Sequence, residues 1–192
     1  MSGPNTPSDE LMLKEWGLSW GGWLDNRRGE WWLLAQLSLI TAHLCPVFWP
    51  AFHQLGLTAW PKGLVAAGCV VLGYGVVLAV RAFFDLGDSL SPLPAVRDQH
   101  QLVVNGTYQH CRHPLYRGVL CCSLGVCLTS GSLLHVALLL SMVGVLGGKA
   151  RYEERELRRR YPDYASYAMS TCAIVPALPW LDWSTLEDSV LK

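Results

Sequence analysis

"RHPLYRGVLCCSLGVCL", residues 112–128, sets the reading of the whole chain. Arg112, His113 and Pro114 resist burial in hydrocarbon, yet they stand directly before one of the most apolar runs in the sequence. Pro114 suits the first position of a helix, because its missing N–H would be unsatisfied there anyway and its fixed φ is already helical. His113 then becomes the N-cap. The free N–H groups and positive dipole end of that helix, reinforced by Arg112, make a cradle for a carboxylate or phosphate.

The remainder of the chain fits a bilayer setting. Of its 192 residues 51% are hydrophobic and only 16% charged, with zero formal net charge, which argues for a membrane protein and against a nucleic-acid partner. Apolar runs at 31–49 and 63–84 are each long enough to cross a core of about 30 Å. The block from 115 to 148 is too long for one span, and "TSGS" at 129–132 breaks it into a helical hairpin. The expected fold is therefore all-α, an integral membrane bundle of about four transmembrane helices (31–49, 63–84, 115–130 and 132–148). Residues 1–30 form an N-terminal interfacial segment, with Leu13, Trp16, Trp20, Trp23 and Leu24 on one stripe, and 149–192 form a tail with an amphipathic helix. Lysine and arginine concentrate before the first span, between 85 and 117, and after 148, which puts both termini and the 85–117 loop in the cytoplasm. No cleavable signal peptide is evident in the first 30 residues. Trp31, Trp32, Trp49 and Trp60 read as interface anchors, and Tyr164 and Tyr167 as interfacial aromatics.

The hairpin has arms of about equal length, so it returns the chain to the side on which it began. Arg112 and His113 are thereby brought beside "KARYEERELRRRY", residues 149–161. There Ala150, Glu153, Glu154, Leu157 and Tyr161 share one helical stripe, and Arg151, Arg155, Arg158 and Arg159 take the other faces. Two inward carboxylates at a membrane surface are costly unless a cationic or hydroxyl-rich group meets them. A ligand with an anionic and a cationic end satisfies both arms. The plainer alternatives are that Arg112 and Arg117 are positive-inside anchors and that Glu154 pairs on the surface with Arg151 or Arg158. Seven cysteines suggest no disulfide framework, and His110, Cys111 and His113 lack a second cluster to complete a metal site. His43 and His135 lie within spans, where packing or helix-to-helix hydrogen bonds are expected. Gly118, Gly125, Gly144 and Gly148 are expected to allow close helix approach. Asn105-Gly106 reads as a turn.

Taken together, "LGDSLSPLP", "LVVNGTYQHCRHPLYRG", "EERELRRRYPDYASY" and "VPALP", spread over residues 86–179, resemble the isoprenylcysteine carboxyl methyltransferase family and its phospholipid methyltransferase relatives. The resemblance implies a membrane enzyme with a cytoplasmic cofactor cleft. It would transfer a methyl group from S-adenosylmethionine to a lipid-like or prenylated acceptor drawn from membrane lipids. By match to the family pattern, Gln101, Leu102, Val103 and Tyr108 would line the cleft. His113, Pro114, Leu115 and Tyr116 would hold the amino-acid portion of the cofactor. Glu153 would bind a polar part of it, and Glu154 completes a paired-glutamate motif. Arg112, His113, Glu154 and Lys149 are the candidate catalytic residues; a hydroxyl or amine acceptor would need a base, for which Glu154 and His113 are the candidates. Lys149 stands where the isoprenylcysteine enzymes carry an arginine for the acceptor carboxylate, keeping the charge but losing bidentate geometry. Tyr161-Pro162 likewise replaces the usual Phe-Gly. The competing readings are an NADPH-dependent reductase related to the sterol reductases and a non-catalytic membrane scaffold.

Overall fold

The computed structural model describes residues 26, 29–44, 60–87 and 102–175. The N-terminal stripe from Leu13 to Leu24, Trp49, Gln101 and the chain beyond 175 lie outside the described residues. Among those described, the fold is all-α: α1 Glu30–Leu44, α2 Lys62–Leu86, a 3-10 turn Gly106–Gln109, α3 Pro114–Ser130, α4 Leu133–Arg160 and α5 Tyr164–Ser170. The helices pack in the order α2, α3, α4, α1.

Two of them, α2 and α4, are long and apolar enough to cross a membrane, whereas α3 is a shorter apolar helix of 17 residues. The outward face of α2 carries Val70, Val76, Val77, Val80, Phe83 and Phe84, all exposed. In water such a face is a liability, and in hydrocarbon it is the ordinary surface of a span.

Helix ends follow local chemistry. Pro114 opens α3 with His113 at the N-cap, and Gly131 ends it in the left-handed conformation at φ 56°. Glycine is needed there twice over, since a Cβ would also strike the Trp60 ring. The tail after 148 is not a separate element: α4 runs unbroken for 28 residues, about 42 Å, and stops at Arg160. Gly147-Gly148 does not break it, because helix formers flank the pair on both sides. Pro162 marks the stop. The polar last turns thus project past a hydrocarbon core of about 30 Å.

Close packing of α2 on α3 is built from glycines seven residues apart on each helix. A Cβ on Gly118 would sit 2.8 Å from Ala79 N and 2.9 Å from Gly75 O, both backbone atoms that cannot swing aside. Gly68 and Gly125 meet in the same way. Gly148 faces the Trp32 ring, but Gly144 has nothing within 4 Å of a would-be Cβ and serves no contact. Gly118→Ala is expected to cost about 1–3 kcal/mol by forcing the helices apart. A lowered midpoint of thermal unfolding in detergent, with no change for Gly144→Ala, checks it.

The tryptophans do more than mark an interface. Trp31 is exposed, but Trp32 packs on Gly148, and Trp60 donates its indole N–H to Leu128 O at 2.7 Å. Deeper in the bundle, His43 binds Ser123 Oγ at 2.6 Å and Leu39 O at 2.8 Å and meets the His135 ring edge-on at 5.8 Å, tying α1, α3 and α4. The main core lies between α3 and α4, with Tyr116, Leu120, Met142, Leu146 and Ala150, closed by Ala173 and Ile174 from beyond α5.

Candidate functional site

At one end of the hairpin the N-terminus of α3 meets the polar turns of α4 and the segment that follows α5. Residues 111–113 run alongside 172–174: Arg112 N donates to Cys172 O at 2.9 Å and His113 N to Ala173 O at 3.1 Å. Cys111 Sγ adds a bond to Ala173 O at 2.9 Å. This returning segment fixes the backbone from which Arg112 and His113 project.

Arg112 is held by acceptors of the protein itself. Its guanidinium donates through Nε to Glu154 Oε1 at 2.9 Å, and through Nη1 to Ala168 O at 2.8 Å and Thr171 O at 2.5 Å. It thus ties α4 to the carbonyls at the end of α5, where a cation also meets the negative pole of that helix. His113 Nε2 lies 3.0 Å from the same Glu154 oxygen. An ionised carboxylate can only accept, so Nε2 carries the proton.

Glu154 is fully buried and does not pair with Arg151 or Arg158 on the surface. Its Oε2 has no hydrogen-bond partner among the described residues. Burial pushes its carboxyl up, but the hydrogen bond from His113, the charges of His113 and Arg112, and the Arg112 bond outweigh it and hold Glu154 below the ordinary carboxylate range. Glu153 behaves in the opposite way. Burial raises it, only partly opposed by Lys149, His113 and the hydroxyl of Tyr116, which donates to Glu153 Oε1 at 2.5 Å. Glu153 Oε2 stands 3.7 Å from His113 Nδ1, beyond hydrogen-bond distance.

Tyr116 is the shared wall. Its ring lies parallel to His113 at 5.3 Å, and the Lys149 ammonium sits 5.3 Å from its centroid. Lys149 is itself buried and donates to Gln36 Oε1 of α1 at 3.1 Å. Tyr108 is buried on the 3-10 turn, and Tyr167 donates to Tyr108 O at 2.6 Å. Tyr164 is 1% exposed and borders Glu154 and Arg112. The turn itself is clamped by Asp85, whose Oδ2 accepts from Thr107 N at 2.7 Å. Pro114 is buried and Leu115 packs half-buried against the core, whereas Leu102 and Val103 are half-buried apolar residues preceding the 3-10 turn.

The structure therefore gathers Arg112, His113, Tyr116, Lys149, Glu153 and Glu154 in one cluster. Sequence reasoning missed Gln36, Asp85 and the Ala168 and Thr171 carbonyls. Only Gln36 had left a signal, as a carboxamide within an apolar helix.

The sequence model of the phospholipid methyltransferase family matches residues 64–164, which takes in the hairpin and both of its polar arms. Among curated proteins the chain is 34% identical over 110 residues to the protein-S-isoprenylcysteine O-methyltransferase of Rattus norvegicus, covering 56% of this chain and 37% of that protein. The mouse enzyme is 33% identical over the same coverage. The cobalt-zinc-cadmium resistance protein CzcN of Cupriavidus metallidurans is 37% identical over 83 residues, 43% of this chain and 38% of that protein. The chain thus spans under two-fifths of the length of these relatives. Because the family match covers more than half of the 192 residues and includes the whole paired-helix centre, the chain belongs to the phospholipid methyltransferase family.

Proposed function

We propose that this protein transfers a methyl group from S-adenosylmethionine to a lipid-like or prenylated acceptor at the cytoplasmic face of a membrane, as a four-span protein with both termini cytoplasmic. The observation that carries the reading is the meeting of Glu153 and Glu154 with His113 and Tyr116, with one buried Glu154 oxygen left unsatisfied. A buried acceptor without a donor costs about 1–3 kcal/mol, so a ligand ammonium or hydroxyl is welcome there. The half-filled carboxylate of Glu153 supplies a second such place.

These donors and acceptors fit the cofactor. S-adenosylmethionine, when bound, supplies an electrophilic methyl group on a sulfonium, with an ammonium, a carboxylate and ribose hydroxyls for recognition. Glu153 and Glu154 would meet the cationic and hydroxyl parts, and the first turn of α3 at Leu115 and Tyr116 would offer N–H groups to the carboxylate. Leu102, Val103 and Tyr108 would flank them. In-line displacement is served mainly by positioning and by excluding water, and the buried walls of Tyr116, Pro114 and Tyr164 suit both. Arg112 acts through Glu154, holding it ionised and in place. Glu154 is for that reason a weak base, and Glu153 is better placed for an acceptor that must lose a proton.

The test is equilibrium binding of S-adenosylmethionine to the purified protein, followed by transfer of its labelled methyl group into a membrane lipid extract. Binding together with a labelled lipid is expected. NADPH binding in its place would favour the reductase reading, and retention of the biological role after His113→Ala with Glu153→Ala would favour a scaffold.

A further inference from the structure

The centre has two ends that differ in chemistry. Glu153, Glu154, His113 and Arg112 lie toward the segment beyond α5, whereas Lys149 lies one helical turn, about 6 Å, closer to the apolar run of α4. Lys149 is thus the charge of this cluster nearest the apolar run of α4. Its ammonium has a competing partner four residues on, because Glu153 sits at the i,i+4 position. Gln36 draws it toward α1 instead, with Oε1 accepting from Nζ at 3.1 Å. A carboxamide is an expensive residue for the middle of "EWWLLAQLSLITAHL", and half-buried between apolar turns it makes this contact across 113 residues of chain.

We propose that Gln36 is a positioning residue: it holds the Lys149 ammonium at the membrane edge of the site, above the Tyr116 ring, where it receives an anionic group carried by the methyl acceptor. The assignment rests on the methyltransferase reading and names the acceptor-facing half of that site. A neutral amide suits the task because it orients the ammonium without cancelling its charge. A carboxylate in its place would form an ion pair and compete with the acceptor.

Two variants separate this role from mere packing, Gln36→Leu, which suits an apolar helix, and Gln36→Glu. The probes are N-acetyl-S-farnesylcysteine in detergent and phosphatidylethanolamine vesicles, each with labelled S-adenosylmethionine; one presents a carboxylate and the other a phosphate. For whichever probe the unmodified protein methylates, Gln36→Leu is expected to raise the acceptor KM about tenfold, the worth of one hydrogen bond to a charged group. The kcat and the affinity for S-adenosylmethionine should stay within about twofold. Gln36→Glu is expected to raise the acceptor KM further. An unchanged acceptor KM in Gln36→Leu, a parallel loss of cofactor affinity, or a Gln36→Glu variant no worse than Gln36→Leu would overturn the proposal. If the unmodified protein binds no S-adenosylmethionine, the methyltransferase reading itself falls. In that event, or if neither probe is methylated, acetic anhydride labelling of Lys149, read by mass spectrometry, decides whether Gln36 holds it. A labelling rate altered in Gln36→Leu supports the hold, and identical rates sink it.

Discussion

Truncation of Arg112 to alanine lowers the stability of the folded protein by about 3–5 kcal/mol, the cost of leaving one member of a buried ion pair alone. Arg112 is 5% exposed and Glu154 is fully buried, so neither charge has water to fall back on. The loss also strips the carbonyls of Ala168 and Thr171 of their donor and frees the segment that closes the core with Ala173 and Ile174. Arg155, exposed on the opposite face of α4, provides the contrast, and its alanine variant should stay within about 0.5 kcal/mol. The sign of the pH dependence is fixed by Glu154, whose carboxyl is held below its ordinary value. The contact contributes fully above the ordinary carboxylate range near pH 4.3 and is lost as pH falls through the lowered value. Unfolding midpoints of the parent and Arg112→Ala should therefore converge in acid. Arg112→Met combined with Glu154→Leu should be less destabilised than Arg112→Ala alone, because no charge is then stranded. A melting curve for Arg112→Ala that overlays the parent at neutral pH would disprove the cross-tie.

The difference between what could and could not be read in the sequence has a physical origin. Pro114 and Gly131 carry their instructions in their own covalent structure, so both ends of α3 were visible in the chain. The stripe of Ala150, Glu153 and Glu154 was legible because helical periodicity fixes which residues share a face. Periodicity does not say what a face meets. Local sequence offers Arg112 only the start of α3, whereas the described partners of its side chain come from 42 to 59 residues away. Likewise, the return of residues 172–174 against 111–113 carries no local signal at all. Nor do lysine-arginine counts reveal that α4 continues through Gly148 to Arg160 without a break.

The surroundings of the two glutamates push their carboxyls in opposite directions, and on the proposed methyltransferase reading that difference predicts a pH dependence. Affinity for S-adenosylmethionine is expected to fall as the pH drops toward the ordinary carboxylate range, and Glu153→Gln should abolish this slope along with about a hundredfold of affinity, the worth of a buried charge-assisted contact. Burial is the dominant influence on Glu153 and moves its carboxyl above the ordinary range, so it begins to take up a proton at a higher pH than an exposed glutamate. A bound cation favours the ionised form, and binding then releases that proton; by linkage the affinity weakens as pH falls through the raised value. Glu154 is already ionised throughout this interval, so Glu154→Gln lowers stability but leaves the slope in place. Calorimetric titrations of the three proteins at several pH values, each in two buffers of different ionisation enthalpy, count the protons released directly. A slope in Glu153→Gln equal to that of the parent would transfer the role to another group.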